Sequence, residues 1–186
     1  QQEASRKLGF NAQRTMRVAQ KLYEGIALPG EDQVGLITYM RTDSVTLSEV
    51  ALTEIRELIA ERYGAENVPE EVRKFKAKAK NAQEAHEAIR PTDMSRHTIS
   101  GDYDQERLYS LIWKRTIASQ MSEAQLERTN VKIKSSADVA EHFVANGEMI
   151  KFDGFLKVYL EGTDQEHEEQ DGMLPTLDIG DELLKN

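Results

Sequence analysis

Residues Gly35-Leu36-Ile37-Thr38-Tyr39-Met40-Arg41-Thr42-Asp43-Ser44 form an apolar, β-favouring run that passes into polar residues able to start a helix. In an extended segment, side chains at i and i+2 share a face, so Tyr39 and Arg41 can serve one site; in a helix they would diverge. A phenol beside a guanidinium suits covalent attack on a phosphodiester, with the phenol as nucleophile and the arginine holding the phosphate and offsetting transition-state charge. Taken alone, the same pair also fits a half-buried tyrosine at a strand end beside a solvated arginine. The surrounding sequence has to choose between the two.

Two more strings make that choice. Gln83-Glu84-Ala85-His86-Glu87-Ala88-Ile89-Arg90-Pro91-Thr92-Asp93 lies downstream, and Ala19-Gln20-Lys21-Leu22-Tyr23-Glu24-Gly25 lies upstream. Read along the chain, the three resemble the helix that precedes the active-site tyrosine, the tyrosine motif itself and the histidine motif of the type IA DNA topoisomerases. Met40, where another branch of that family usually has proline, points to the bacterial topoisomerase I branch. The resemblance covers most of the chain and thins after about residue 162.

The resemblance implies an α+β chain. Residues 1–124 would be a helical domain carrying the active-site tyrosine. Residues 125–186 would be antiparallel strands from part of a β-rich arch, or gate, over a hole through which a DNA strand passes. It implies that Tyr39 forms a 5′-phosphotyrosine link, whose retained energy allows resealing without ATP. Catalytic roles fall to Tyr39, Arg41 and His86, and DNA contacts to Gln20, Glu24, Thr38, Thr42 and Arg90. A phenol has a pKa of about 10 in water, so it must lose a proton as it attacks. A histidine beside phosphate can carry charge and donate a hydrogen bond.

Several of these residues have a second reading. Thr38 serves the phosphate or is a strand residue chosen for β propensity. Thr42, Asp43 and Ser44 fix the site or cap the next helix. Arg90 reaches DNA or bridges to Glu87. Tyr23 stacks on a base or, the preferred reading, packs in the core. The other histidines, His97, His142 and His167, fall in no pattern.

The family's Mg²⁺ is bound by a separate acidic domain, and nothing here resembles it. The expectation is Mg²⁺ in the full-length enzyme, with no metal ligand in this segment. The chain begins at Gln1 and reads as a piece of a longer protein, inactive alone, with single-stranded and negatively supercoiled DNA and the rest of its own chain as partners. A cytoplasmic, nucleoid-associated location follows from the resemblance. The alternative is a non-catalytic helical module that binds single-stranded nucleic acid. A tyrosine recombinase or Rep-type nickase ranks below both, since their arginine and histidine patterns are absent.

Composition sets the outer bounds. There are no cysteines among the 186 residues, which excludes disulfides and cysteine-based zinc sites. No apolar run reaches membrane-spanning length. The net charge of -9 argues against nucleic acid until its distribution is followed. Residues 161–186 carry nine acids and one base, leaving -1 for the rest. Residues 1–21 hold five bases against Glu3, and residues 73–80 hold five bases and no acid. Local basic faces can bind a phosphate backbone despite a negative total. They can equally be solvated surface.

The local pattern predicts a helix capped by Asn11 and stopped at Gly25. A second follows a Thr46–Glu49 capping box, buries Leu47, Val50, Ala51, Ile55, Leu58 and Ile59, and ends at Gly64. A helical turn is predicted over 83–89, stopping before Pro91. Asp104 is predicted to cap a helix over 105–121 that packs Leu108, Leu111, Ile112 and Met121, with Tyr109 and Trp113 in the core. Strands are predicted over 128–134, 139–145 and 149–160, with Asn146-Gly147 as a hairpin turn. The acidic stretch 161–172 reads as a solvated, mobile loop.

Overall fold

The computed structural model describes residues 1–28, 30, 32–75, 86–134, 142–159 and 180. These residues form two compact units: 1–123 with 154–159, and 124–134 with 142–153. The predicted acidic loop at 161–172 lies outside them, as do Lys76, Lys78, Lys80, Gln83 and Glu84.

The first unit is helical. After α1 (Gln2–Leu8), α2 spans Ala12–Glu24. The Asn11 side chain accepts the Arg14 N–H at 2.8 Å, and Gly25 stops the helix at φ 98°, as the sequence predicts. α2 buries Thr15, Val18, Ala19 and Leu22. A short antiparallel ribbon follows, β1 (Ile26–Ala27) with β2 (Gln33–Val34), in register Ile26 to Val34.

Helix α3 runs Glu49–Tyr63 and ends at Gly64. Its cap is Ser48, two residues later than the predicted Thr46, because Ser44 and Thr46 are committed to the preceding turn, where Ser44 Oγ accepts the Thr46 N–H at 3.2 Å. The buried line is Ala51, Leu52, Ile55 and Ile59, and Val50, predicted buried, is 69% exposed. Ala51, Ile55 and Ile59 thus keep the predicted stripe, Leu47 and Leu58 pack at its edge, and Leu52 replaces Val50 in it.

Helix α4 spans Tyr103–Gln120. Asp102 is its cap, in a reciprocal box with Gln105. Asp104, the predicted cap, instead takes Arg14 in a two-pronged pair at 2.7 Å. Trp113 and Tyr109 are both core residues, as predicted, and each anchors the 94–96 segment. The Trp113 indole donates to the Met94 carbonyl at 3.0 Å and the Tyr109 hydroxyl to that of Arg96 at 2.7 Å. Burial pushes the Tyr109 phenol up to about 12.

In place of a third strand at the end of this unit, residues 154–155 turn and α5 spans Leu156–Tyr159. Val158 is buried, and the Tyr159 hydroxyl bonds Glu3 while Arg115 donates to it at 2.8 Å. Packing against α1 and α4 overrides the β propensity of this aromatic, β-branched stretch.

The second unit is a ribbon of two long strands, β3 (Gln125–Lys134) and β4 (His142–Phe152), antiparallel. Val131 and Ile133 fall on its half-buried face. Asn146 and Gly147 sit within β4, opposite Asn130 and Thr129. The predicted turn there does not exist. Continuous cross-strand pairing over the full length outweighs the local preference of the dipeptide.

Candidate active site

The site is built where three distant pieces of chain meet: the end of α2, residues 35–46 and residues 86–92. The chain leaving β2 passes close over α2. The Leu36 N–H donates to the Leu22 carbonyl at 2.7 Å. A Cβ on Gly35 would lie 2.8 Å from the Tyr23 carbonyl oxygen, so only glycine permits this approach.

Residues 36–38 are then laced to 88–92. Ile37 bridges Pro91 in antiparallel fashion, with Thr38 N–H to Arg90 O at 2.9 Å and Thr92 N–H to Leu36 O at 3.0 Å. The Thr38 hydroxyl donates to Ala88 O at 2.8 Å and accepts from the Arg90 N–H at 3.0 Å. The Thr92 hydroxyl donates to Gly35 O at 2.7 Å, and the Ala88 N–H to Thr46 O at 2.8 Å. Leu36, Ile37, Met40 and Pro91 are buried beneath.

Above this support the side chains alternate. Tyr39 is half-buried, Met40 is buried and Arg41 is exposed, the order expected of extended chain, although only Ile37 makes a sheet-like bridge. The Tyr39 ring contacts two others. Tyr23 meets it edge-on at 5.4 Å between centroids and 71°, and His86 lies tilted at 5.1 Å and 41°. His86 is exposed. Among the described residues Arg41 makes no hydrogen bond or ion pair.

The other predicted site residues divide. Gln20 and Glu24 hold each other on the α2 surface, amide to carboxylate at 2.7 Å. The Thr42 hydroxyl accepts the Ser44 N–H at 3.0 Å, and among the described residues its own proton meets no acceptor. That turn, not a helix cap, is the local job of Thr42 and Ser44. Arg90 is held inward with its side chain 13% exposed: its Nε pairs with Glu87 at 2.7 Å, and another guanidinium nitrogen donates to the Pro91 carbonyl at 2.9 Å. The pair forms without the predicted helical turn, since residues 86–89 are not helical.

Sequence reasoning misplaced Tyr23. It is 41% exposed and belongs to the site, not the core. The available signal was its place in the last turn of α2, at the margin of the buried stripe and just before the glycine that lets the chain double back. Among the described residues there is no group of three His, Cys, Asp or Glu side chains placed to hold a metal ion. Nor do they contain a helix long and apolar enough to cross a membrane.

A family model for DNA topoisomerase matches residues 1–186. Over 184 residues the chain is 52% identical to DNA topoisomerase 1 of Rickettsia bellii, covering 95% of this chain and 22% of that protein. Over 191 residues it is 51% identical to DNA topoisomerase 1 of Xylella fastidiosa strain Temecula1, covering 98% of this chain and 23% of that one. Full-length topoisomerase I from Thermotoga maritima matches in structure with a TM-score of 0.75 at 36% identity, over 96% of this chain and 27% of that one. The chain thus spans less than a quarter of the length of these two curated relatives. On the residues, the fold and these likenesses together, the chain belongs to the DNA topoisomerase family, in its bacterial type IA branch.

Proposed function

We propose that this chain is the catalytic-tyrosine segment of an enzyme that cleaves one DNA strand, passes another through the break and reseals it, relaxing negative supercoils without ATP. The observation that carries the reading is the Tyr39 ring in contact with both Tyr23 and His86, two residues before an exposed Arg41 that makes no hydrogen bond or ion pair among the described residues. Tyr39 Oη attacks phosphorus of a single-stranded phosphodiester. Its proton leaves as the new O–P bond forms, and the 3′-hydroxyl departs as the old one breaks. The 5′-phosphotyrosine product is still a diester, so attack by the same hydroxyl reverses the step.

Arg41 grips the scissile phosphate with its planar fork and sets it in line. His86 donates to a phosphate oxygen from beside the Tyr39 ring, and Thr42 offers its hydroxyl proton. Thr38 acts indirectly, by fixing the Tyr39 backbone through its bonds to residues 88 and 90. Arg90 plays the same kind of part through Glu87. Gln20 and Glu24 face the neighbouring nucleotides. Mg²⁺ ligands belong to other parts of the polypeptide, and no step above runs through the metal. These 186 residues alone therefore bind single strands but do not relax supercoiled DNA.

The test is cleavage of a 3′-end-labelled single-stranded oligonucleotide by the full-length chain, quenched with denaturant, in wild type and Tyr39→Phe. A labelled protein adduct in wild type alone supports both nucleophile and linkage. An adduct that persists in Tyr39→Phe, or none in either, overturns the assignment in favour of a binding module.

A further inference from the structure

Beyond the tyrosine, the exposed side of α2 carries a cationic groove with an uneven division of labour. A depression of about 240 Å³ between α2 and the start of α4 is lined by Arg14, Arg17, Val18, Lys21, Asp102 and Asp104. Arg14 is fixed to Asp104 at 2.7 Å by two hydrogen bonds, and Lys21 lies 3.7 Å from Asp102. Arg17 sits between them in sequence, is exposed, and among the described residues makes no hydrogen bond or contact ion pair. Asp104 does lie within the electrostatic reach of Arg17 and Arg107 as well as Arg14. Four cations thus share two carboxylates, and the surplus positive charge is centred on Arg17.

Helix geometry ties this residue to the candidate site. At about 100° per residue, Arg17 and Glu24 lie almost on one line along α2, with Gln20 to one side and Arg14 and Lys21 to the other. Seven residues at 1.5 Å rise put Arg17 about 10 Å from Glu24, roughly three nucleotides of a stacked strand.

We propose that this face of α2 is a track for the sugar-phosphate backbone of the strand that enters the Tyr39 site. Arg17 is its phosphate-binding cation, and Asp102 and Asp104 hold Lys21 and Arg14 back at its margin. The proposal rests on the DNA-cleaving reading of Tyr39 and adds to it a contact a few nucleotides from the scissile phosphate. The acidic margin keeps the track weak enough for the strand to be released after resealing. Spreading the same cations without Asp104 would bind single strands more tightly and with steeper salt dependence.

The experiment uses the full-length chain and a short fluorescent oligothymidylate, followed by anisotropy between ~50 and ~200 mM salt. Arg17→Gln is expected to weaken binding roughly threefold to tenfold and to reduce the slope of log K against log salt by about 0.7, the loss of one single-strand phosphate contact. Arg17→Lys should keep the slope. Asp104→Asn, which frees Arg14, should tighten binding and steepen the slope by a similar amount. Arg17 is exposed, so an unchanged thermal midpoint is expected to accompany Arg17→Gln. Binding within twofold of wild type, or a weaker complex with an unchanged slope, overturns the track. The Tyr39-dependent adduct, measured in Arg17→Gln at saturating oligonucleotide, separates the two ideas. An adduct that persists while binding and slope stay unchanged removes the track and leaves the cleavage reading standing. An adduct missing in wild type removes the cleavage reading.

Discussion

The ring of Tyr23 stands edge-on against the ring of Tyr39, with centroids 5.4 Å apart at 71°. Edge-to-face pairs of this kind contribute about 0.5–1.5 kcal/mol beyond area burial. Tyr23 is 41% exposed, so that energy orients Tyr39 more than it holds the fold together. Tyr23→Ala should lower adduct yield with single-stranded oligonucleotide roughly 2- to 10-fold, with little change in thermal midpoint, and Tyr23→Phe should restore it. A large fall in midpoint with normal adduct yield in the folded fraction would assign Tyr23 to stability instead.

Thr38 makes a prediction of the opposite kind. Thr38→Val keeps the shape but leaves Ala88 O and Arg90 N–H without the hydroxyl. Losing the partner of a part-buried polar group costs about 1–3 kcal/mol. Urea unfolding should show a lower midpoint at an unchanged m-value, and Thr38→Ser should recover most of it.

Gly35→Ala is expected to be more damaging than its size suggests. The new methyl would meet the Tyr23 carbonyl at 2.8 Å, backbone against backbone, where no side chain can yield. Overpacking of this sort costs about 1–3 kcal/mol. Because the displaced segment carries Tyr39, cleavage should fall as well. A wild-type midpoint and wild-type cleavage in this variant would show that the crossing is loose.

Two tyrosines give the stability a signature at the extremes of pH. Burial raises the Tyr109 phenol from 10.0 to about 12. The unfolded chain therefore ionises first, and this contribution is complete below pH 10 and lost as the pH rises towards 12. Two pKa units correspond to about 2–3 kcal/mol. Circular dichroism should show alkaline destabilisation over that interval, flattened in Tyr109→Phe. At the acid end, the Tyr159 hydroxyl is the main cause holding the Glu3 carboxyl below its ordinary value of 4.5. That contribution is present above the unfolded pKa and is lost as the pH falls through the lower, folded one. Tyr159→Phe should remove this part of the acid sensitivity.

The elements legible in the sequence were those with local punctuation. Asn11 and Gly25 bracket α2, and Gly64 closes α3, because a cap needs only its own few residues. The three site strings were legible through likeness to a family, and the structure brings residues of all three together at Tyr23, Tyr39 and His86. What could not be read locally was decided by partners far along the chain. Asp104 faces Arg14 across 90 residues, so Asp102 takes the cap. Asn146-Gly147 looks like a turn until β3 pairs along its whole length. Residues 156–159 favour a strand until α1 and α4 offer a surface. Tyr23 fits a core pattern until the chain folds back and sets Tyr39 against it.

The lacing of residues 36–38 to 88–92 has a consequence for the time at which the site first exists. Thr38 and Arg90 are 52 residues apart, and a ribosome needs roughly 3–10 s to cover that distance. Until His86 and its neighbours have emerged and docked, Tyr39 sits on a segment without its Thr38–Arg90 lacing and without its contact to the His86 ring. A partly made polypeptide that already displays the tyrosine motif thus lacks the support for Tyr39, and on the proposed reading the geometry for strand cleavage is assembled only once residues 86–92 have docked.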